Sequence, residues 1–437
     1  MYNKILAIFT FILLVSAVSF AQAGWPDADG NSTEIVSLES AETENDDGIT
    51  VSPQKNSYEI EMDTAYDLLT KGIPSRDLIK SYTLQGRYAI AEKLYIYWAN
   101  SWSDEEPAML LDIEIPYLHQ LASEGNAEAF EALLYIDDLT AMSNMRVILS
   151  EVGGTATLKE IGFTSANLPD FIRAFGKSAY SSDAELLLPW LEYGDYNTIT
   201  ATIDAIGELG NNNVWIKLSE ISGTADLNQS IHIARTSKKL DLKALKDRYI
   251  TQYNEFSTWD YIYKRAAILL TVSGDITSWS TVSSILNDKE ADFYPVALSA
   301  LGDFRYIEAA PYVAKAMNGS ATEQRYATES MSILSSEEIS TIVKDSSRPE
   351  YQRQKALTLL AYRFEPEIDD YIYNLCVDPT ADELRVLTST AFTLADELGL
   401  FSDHVLFQMG RAQIDNPNMD VAIIAKAIAV KYAKYWK

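Results

Sequence analysis

The feature that most constrains this chain is a glycine that returns at the end of one helical pattern after another. Ala174-Phe175-Gly176, Glu208-Leu209-Gly210, Val272-Ser273-Gly274, Ala300-Leu301-Gly302 and Glu397-Leu398-Gly399 all close such patterns. Their glycines stand 34, 64, 28 and 97 residues apart, or one, two, one and three steps of about 32 residues. A glycine belongs there because the residue after a helix often takes a left-handed conformation that clashes with a side chain. Near residues 240 and 333 the stretches "KKLDL" and "ILSSEE" supply the break without glycine.

A second signature has the same rhythm. Ile115-Pro116-Tyr117-Leu118, Leu188-Pro189-Trp190-Leu191 and Ala310-Pro311-Tyr312-Val313 each put a proline before an aromatic and an aliphatic residue. Proline is tolerated in the first helical turn, where its missing N–H has no intrahelical partner. From Tyr58 onward apolar residues recur at spacings of three and four, and strand-type alternation is scarce. Segments this short cannot bury an apolar stripe alone, so neighbouring pairs must share a core. The reading is an all-α protein, an alpha-solenoid of antiparallel helix pairs. "DVAIIAKAIAVKYAKYWK" (420–437) reads as its capping helix, with Lys426, Lys431, Lys434 and Lys437 on the polar side or near the end.

Two stretches resemble HEAT repeats of the short form found in bacterial HEAT-like and PBS-lyase-type arrays. Ala205, Ile206, Gly207, Leu209 and Gly210 carry one instance; Ala297, Leu298, Ala300, Leu301, Gly302 and Asp303 carry the other. Weaker copies lie at 267–286, 356–376 and 392–410. The resemblance implies an array over 166–437, with a degenerate HEAT- or TPR-like helical region at 58–165. It implies a binding scaffold and names no substrate.

Residues 1–23 read as a signal peptide, with Lys4 ahead of the apolar run Ile5 to Val18 and small residues at Ala21 and Ala23. The run is shorter than the roughly 20 residues that cross a bilayer. The chain is therefore expected to be exported, periplasmic or extracellular, with no membrane anchor after cleavage. Residues 24–57 form an acidic leader too poor in apolar residues to order itself. Asp27 to Glu34 suggests a calcium loop, but its sixth and twelfth positions are Ser32 and Leu38, where Gly and Glu are needed.

Across the chain 63 acidic residues oppose 35 basic ones, a net charge of −28. Such a surface disfavours nucleic acid, whose binding depends on cations displacing counterions from phosphates. Against that background Arg235, Lys238, Lys239, Lys243, Lys246 and Arg248 form a basic cluster opposed only by Asp241 and Asp247. Together with Trp215, Trp259 and Trp279, which lie near helix starts or joints, they are the candidate partner-binding residues. Trp102 shares that placement.

No catalytic, cofactor or metal residue is assigned. His119, His232 and His404 lie far apart, and the spacings HExxH, GxSxG and GxxxxGK[ST] are absent. The single cysteine, Cys376, lies in an apolar helical pattern and reads as core. The expectation is a non-enzymatic scaffold that binds a protein partner on the concave face of the array. Two other readings stay open: a glycan- or peptide-binding module that uses groove aromatics, and a lyase-like enzyme that assists cofactor attachment.

Overall fold

The computed structural model describes residues 56–101, 107–153, 156–210, 214–256, 261–304, 306–378 and 386–434. The signal segment 1–23, all but the last two residues of the leader, and Trp102 and Trp259 lie outside these. The protein is all-α: among the described residues every regular element is a helix. It divides into two compact units between Pro116 and Tyr117, whereas the sequence reading draws its line between 165 and 166.

In the first unit, α1 (Ser57–Thr70) opens with a capping box. The Asn56 side chain accepts from the Glu59 amide at 2.9 Å, and Glu59 accepts from the Asn56 amide at 2.7 Å. Helix α2 (Ser75–Leu84) and α3 (Tyr88–Ser101) form a hairpin that buries Ile79, Ile90, Leu94 and Tyr95. Arg87, just before α3, donates from Nε to Glu61 of α1 at 2.8 Å. The helix α4 (Pro107–Ser123) carries Pro116 in its interior, and the division between the units follows it.

In the second unit one row of helices stacks side by side. Its members are α5 (Ala127–Tyr135), α6 (Leu168–Ser178), α7 (Tyr196–Leu209), α8 (Leu227–Lys239), α9 (Tyr261–Val272), α10 (Tyr294–Ala300) and α11 (Ala321–Glu329). A 3-10 turn at Met331–Ile333 passes the stack on to α12 (Glu350–Tyr362), α13 (Thr388–Glu397) and α14 (Met419–Ala433). Outer helices alternate with them in the chain, for example Trp215–Thr224, Lys243–Glu255, Trp279–Leu286, Ala310–Ala316 and Asp403–Gln413. Each of these packs on the row helix that follows it. This is the helical-repeat class expected from the glycine rhythm.

The glycines play two roles, not one. Gly210, Gly274 and Gly399 take left-handed φ values of 64°, 79° and 58°, as helix stops should. Gly176 lies inside α6 instead, where a Cβ would fall 2.6 Å from the Cβ of Ala205 on α7. Gly302 presses on α11, where a Cβ would fall 2.3 Å from the Glu329 carbonyl oxygen. These two glycines set how closely neighbouring rungs approach.

The row also closes on itself, because α14 packs against α5. Lys434 Nζ donates to the Ile136 carbonyl at 3.1 Å, and Lys431 Nζ lies 4.9 Å from the centre of the Tyr135 ring. The last helix therefore lacks the polar face expected of a cap at Lys426. That residue is only 2% exposed, and its Nζ donates to the Ile414 carbonyl at 2.6 Å. Burial pushes its pKa down to about 7. Cys376 is buried, as its apolar surroundings suggested, and burial pushes its thiol pKa up.

Candidate functional site

The basic cluster of the sequence is divided between two helices by a turn in which Asp241 takes φ 53°. At the end of α8, Arg235 is buried and its Nε donates to Asp303 Oδ2 at 2.7 Å. Lys238 donates to the Asp303 carbonyl at 3.0 Å, and Lys239 pairs with Glu208 at 2.5 Å. Beyond the turn, Lys246 reaches Asp275 at 3.5 Å and Arg248 donates to the Ser219 carbonyl. Lys243 is exposed. Five of the six thus tie one rung to another.

The inward face of the row is a ladder of such pairs. Arg173 meets Asp170 at 3.0 Å and Asp204 at 3.7 Å; His232 Nδ1 lies 3.2 Å from Asp204; Lys177 lies 3.4 Å from Glu397. Positions 173 and 177, 204 and 208, and 235 and 239 are each one helical turn apart, so each helix presents two rungs of the ladder. Within this face burial, joined by the charges of Asp170 and Glu128, pushes Glu131 up to about 8. Burial likewise pushes Glu397 to about 7, although Lys177 opposes it. Among the described residues no group of three His, Cys, Asp or Glu could hold a metal ion.

One cluster of aromatic residues lies at an edge where row helices end and outer helices begin; Trp279, Tyr306 and Tyr312 in it are half-buried and Phe304 is buried. Asp275 caps the short turn before Trp279, accepting from the Thr277 amide at 3.0 Å. The Trp279 ring then stacks near Phe304, centroids 5.8 Å apart, and meets Tyr306 and Tyr312 edge-on at 5.4 and 6.1 Å. Beside this cluster Ile276 is 54% exposed and Ile307 is 82% exposed. The two isoleucines occupy the same place on successive rungs, the first residue of the 3-10 turn that leads into an outer helix. Lys246 and Lys238 are anchored beside this edge, through Asp275 and Asp303.

Trp279, itself half-buried, is the sequence candidate that the structure places beside exposed apolar side chains. Trp215 begins the helix Trp215–Thr224, and its side chain lies outside the described set. The sequence reading missed Ile276, Ile307, Tyr306 and Tyr312. The first two were signalled only by following a helix-ending segment by a few residues, a pattern too common to single them out.

Fold and site together define an all-α helical-repeat protein with ion pairs along its inner face and, at one edge, exposed isoleucines beside a half-buried aromatic cluster. No family model matches the sequence, and neither does any curated protein. A similar solved structure is human deoxyhypusine hydroxylase in complex with glycerol, at 12% identity over 65% of this chain and 99% of that one, with a TM-score of 0.22. So loose a likeness bears on neither fold nor activity; the repeat class rests on the packing described above.

Proposed function

We propose that this chain is a non-enzymatic scaffold that binds another protein, and that the contact is made at the edge around Trp279 and Ile307. The observation that supports this most is Ile307, an aliphatic side chain almost fully in water beside a preformed aromatic cluster. Apolar patches of this kind mark surfaces that other proteins cover. Rigid aromatic anchors lose little entropy when they do so. The inner face supports the reading less well than the concave groove first expected, because its charges are engaged with one another. The protruding isoleucines favour a protein over a glycan, since sugars stack on flat rings and gain little from branched aliphatic tips. Export is part of the proposal and rests on the N-terminal apolar run.

The test compares proteins retained by immobilised wild type with those retained by Ile307→Asp and by Trp279→Ala, taken from the exported fraction. Circular dichroism first establishes that both variants fold. A specific partner should be retained by the wild type and fall about tenfold or more with Ile307→Asp. Identical retention by all three proteins would remove the edge from the proposal.

A further inference from the structure

The opposite edge of the same rungs, where outer helices end and row helices begin, holds a pocket of about 270 Å³. Its wall is built from Tyr294, Pro295 and Leu298 of α10 and from Tyr326 of α11, with Thr322 and Lys289 at the mouth. The sequence fixes this wall locally. Ser320 and Glu323 form a capping box that starts α11, the Ser320 amide donating to Glu323 Oε2 at 2.9 Å. Glu323 also accepts from the Tyr294 hydroxyl at 3.1 Å and pairs with Lys289. Lys289 and the Ser320 amide hold the Glu323 carboxyl down at about 2, so the anchor stays ionised at any ordinary pH. One carboxylate thereby fixes a ring from one helix, the start of the next helix and a loop lysine around a single cavity.

The rim has a definite sign. Asp288, Glu290 and Asp292 are all exposed in the joint that forms one lip, and Lys289, the one base among them, is paired with Glu323. The pocket thus combines the half-exposed Tyr326 ring and Pro295, hydroxyls of Tyr326 and Thr322, and an acidic border, over a floor of buried Tyr294 and Leu298.

We propose that this pocket binds an extended, proline-containing peptide segment with basic residues beside the proline. Proline rings are flat, apolar and already rigid, so they pack on the Tyr326 ring and Pro295 with little entropy lost. A polyproline-type segment has no internal hydrogen bonds, which leaves its carbonyls free to accept from the hydroxyls and the lysine at the mouth. The acidic lip selects Lys or Arg over Asp or Glu in the flanking positions and steers their approach. The site is separate from the Trp279 edge, so either can stand without the other.

The test uses the full chain and three fluorescein-labelled twelve-residue peptides followed by polarisation. One alternates Pro-Pro with Arg, the second replaces every Pro by Gly or Ser at the same charge, and the third keeps the prolines but replaces Arg by Glu. The first should bind, the second at least about tenfold more weakly, and the third not measurably. Two exposed positions provide variants that leave the fold intact: Thr322→Trp, which fills the mouth, and Glu290→Lys, which reverses the lip. Thr322→Trp should abolish binding of the first peptide and Glu290→Lys should weaken it several-fold, while Trp279→Ala leaves it unchanged. Equal binding of the first two peptides would overturn the proposal, since charge alone would then account for it. So would no binding of the first peptide, or full binding to Thr322→Trp.

Discussion

Single side chains on the inner face carry a pH dependence whose sign is fixed by burial. Glu131 is raised from 4.5 to about 8, chiefly by burial and then by the neighbouring Asp170 and Glu128, against the pull of Lys177 and Arg173. A carboxyl with a raised folded-state pKa holds its proton more tightly in the native chain than in the unfolded one. Its contribution is complete below pH 4.5 and is lost as the pH climbs from there to about 8. Glu131→Gln keeps the shape and removes the titration. Wild type should lose about 1 to 2 kcal/mol more than the variant between pH 5 and pH 8, the partial exposure of Glu131 keeping the figure below that of the full shift. Urea titrations at the two pH values measure this. Parallel losses in both proteins would assign the pH dependence elsewhere.

At the scale of helices, two kinds of glycine make opposite demands. A Cβ at Gly176 would fall 2.6 Å from Ala205 Cβ, so Gly176→Ala must push α6 away from α7. This should cost about 2 to 3 kcal/mol, as overpacking does. Gly210→Ala meets nothing within 4 Å and suffers only its left-handed φ of 64°, at a cost of about 1 kcal/mol. Thermal unfolding of the two variants should therefore rank them in that order, and the reverse order would mean that the α6–α7 interface yields without strain. The same pair of residues shows what the sequence made legible. The glycine spacing revealed the rungs because Gly210, Gly274 and Gly399 act locally, as helix stops. Gly176 and Gly302 share the spacing for another reason, the approach of a neighbouring rung, which leaves no local mark. The basic cluster shows the same split between a local pattern and distant contacts. Six cations close together in sequence suggest a surface patch, but the acids that meet Arg235, Lys239 and Lys246 lie at 303, 208 and 275. Trp279 stands out in the sequence because tryptophan is conspicuous, whereas Ile307 could not be told from a core residue until its exposure was known.

For the second unit as a whole, the closure of the row matters most, and no local pattern announces it. In an open array each rung touches only its neighbours, so a defect at one end leaves the other end undisturbed. Here α14 touches α5. Ile428 in the middle of α14 is fully buried, and Lys434 at its end reaches the Ile136 carbonyl. Ile428→Ala should cost about 2 to 4 kcal/mol through the cavity it leaves. In a closed row part of that loss must be felt at α5, although α5 lies some three hundred residues earlier in the chain. Hydrogen exchange reads this directly: amide protection in Ala127–Tyr135 should fall together with that in Met419–Ala433, while both ends of an open array would respond separately. Protection of α5 unchanged in Ile428→Ala would show that the contact between the ends is too weak to couple them. Coupling would mean that the protein behaves as one cooperative body from α5 to α14. It would also explain why the inner face pairs Arg173, Lys177 and Lys239 with carboxylates and raises the pKa of Glu131 and Glu397, since a face closed to water favours paired or neutral groups.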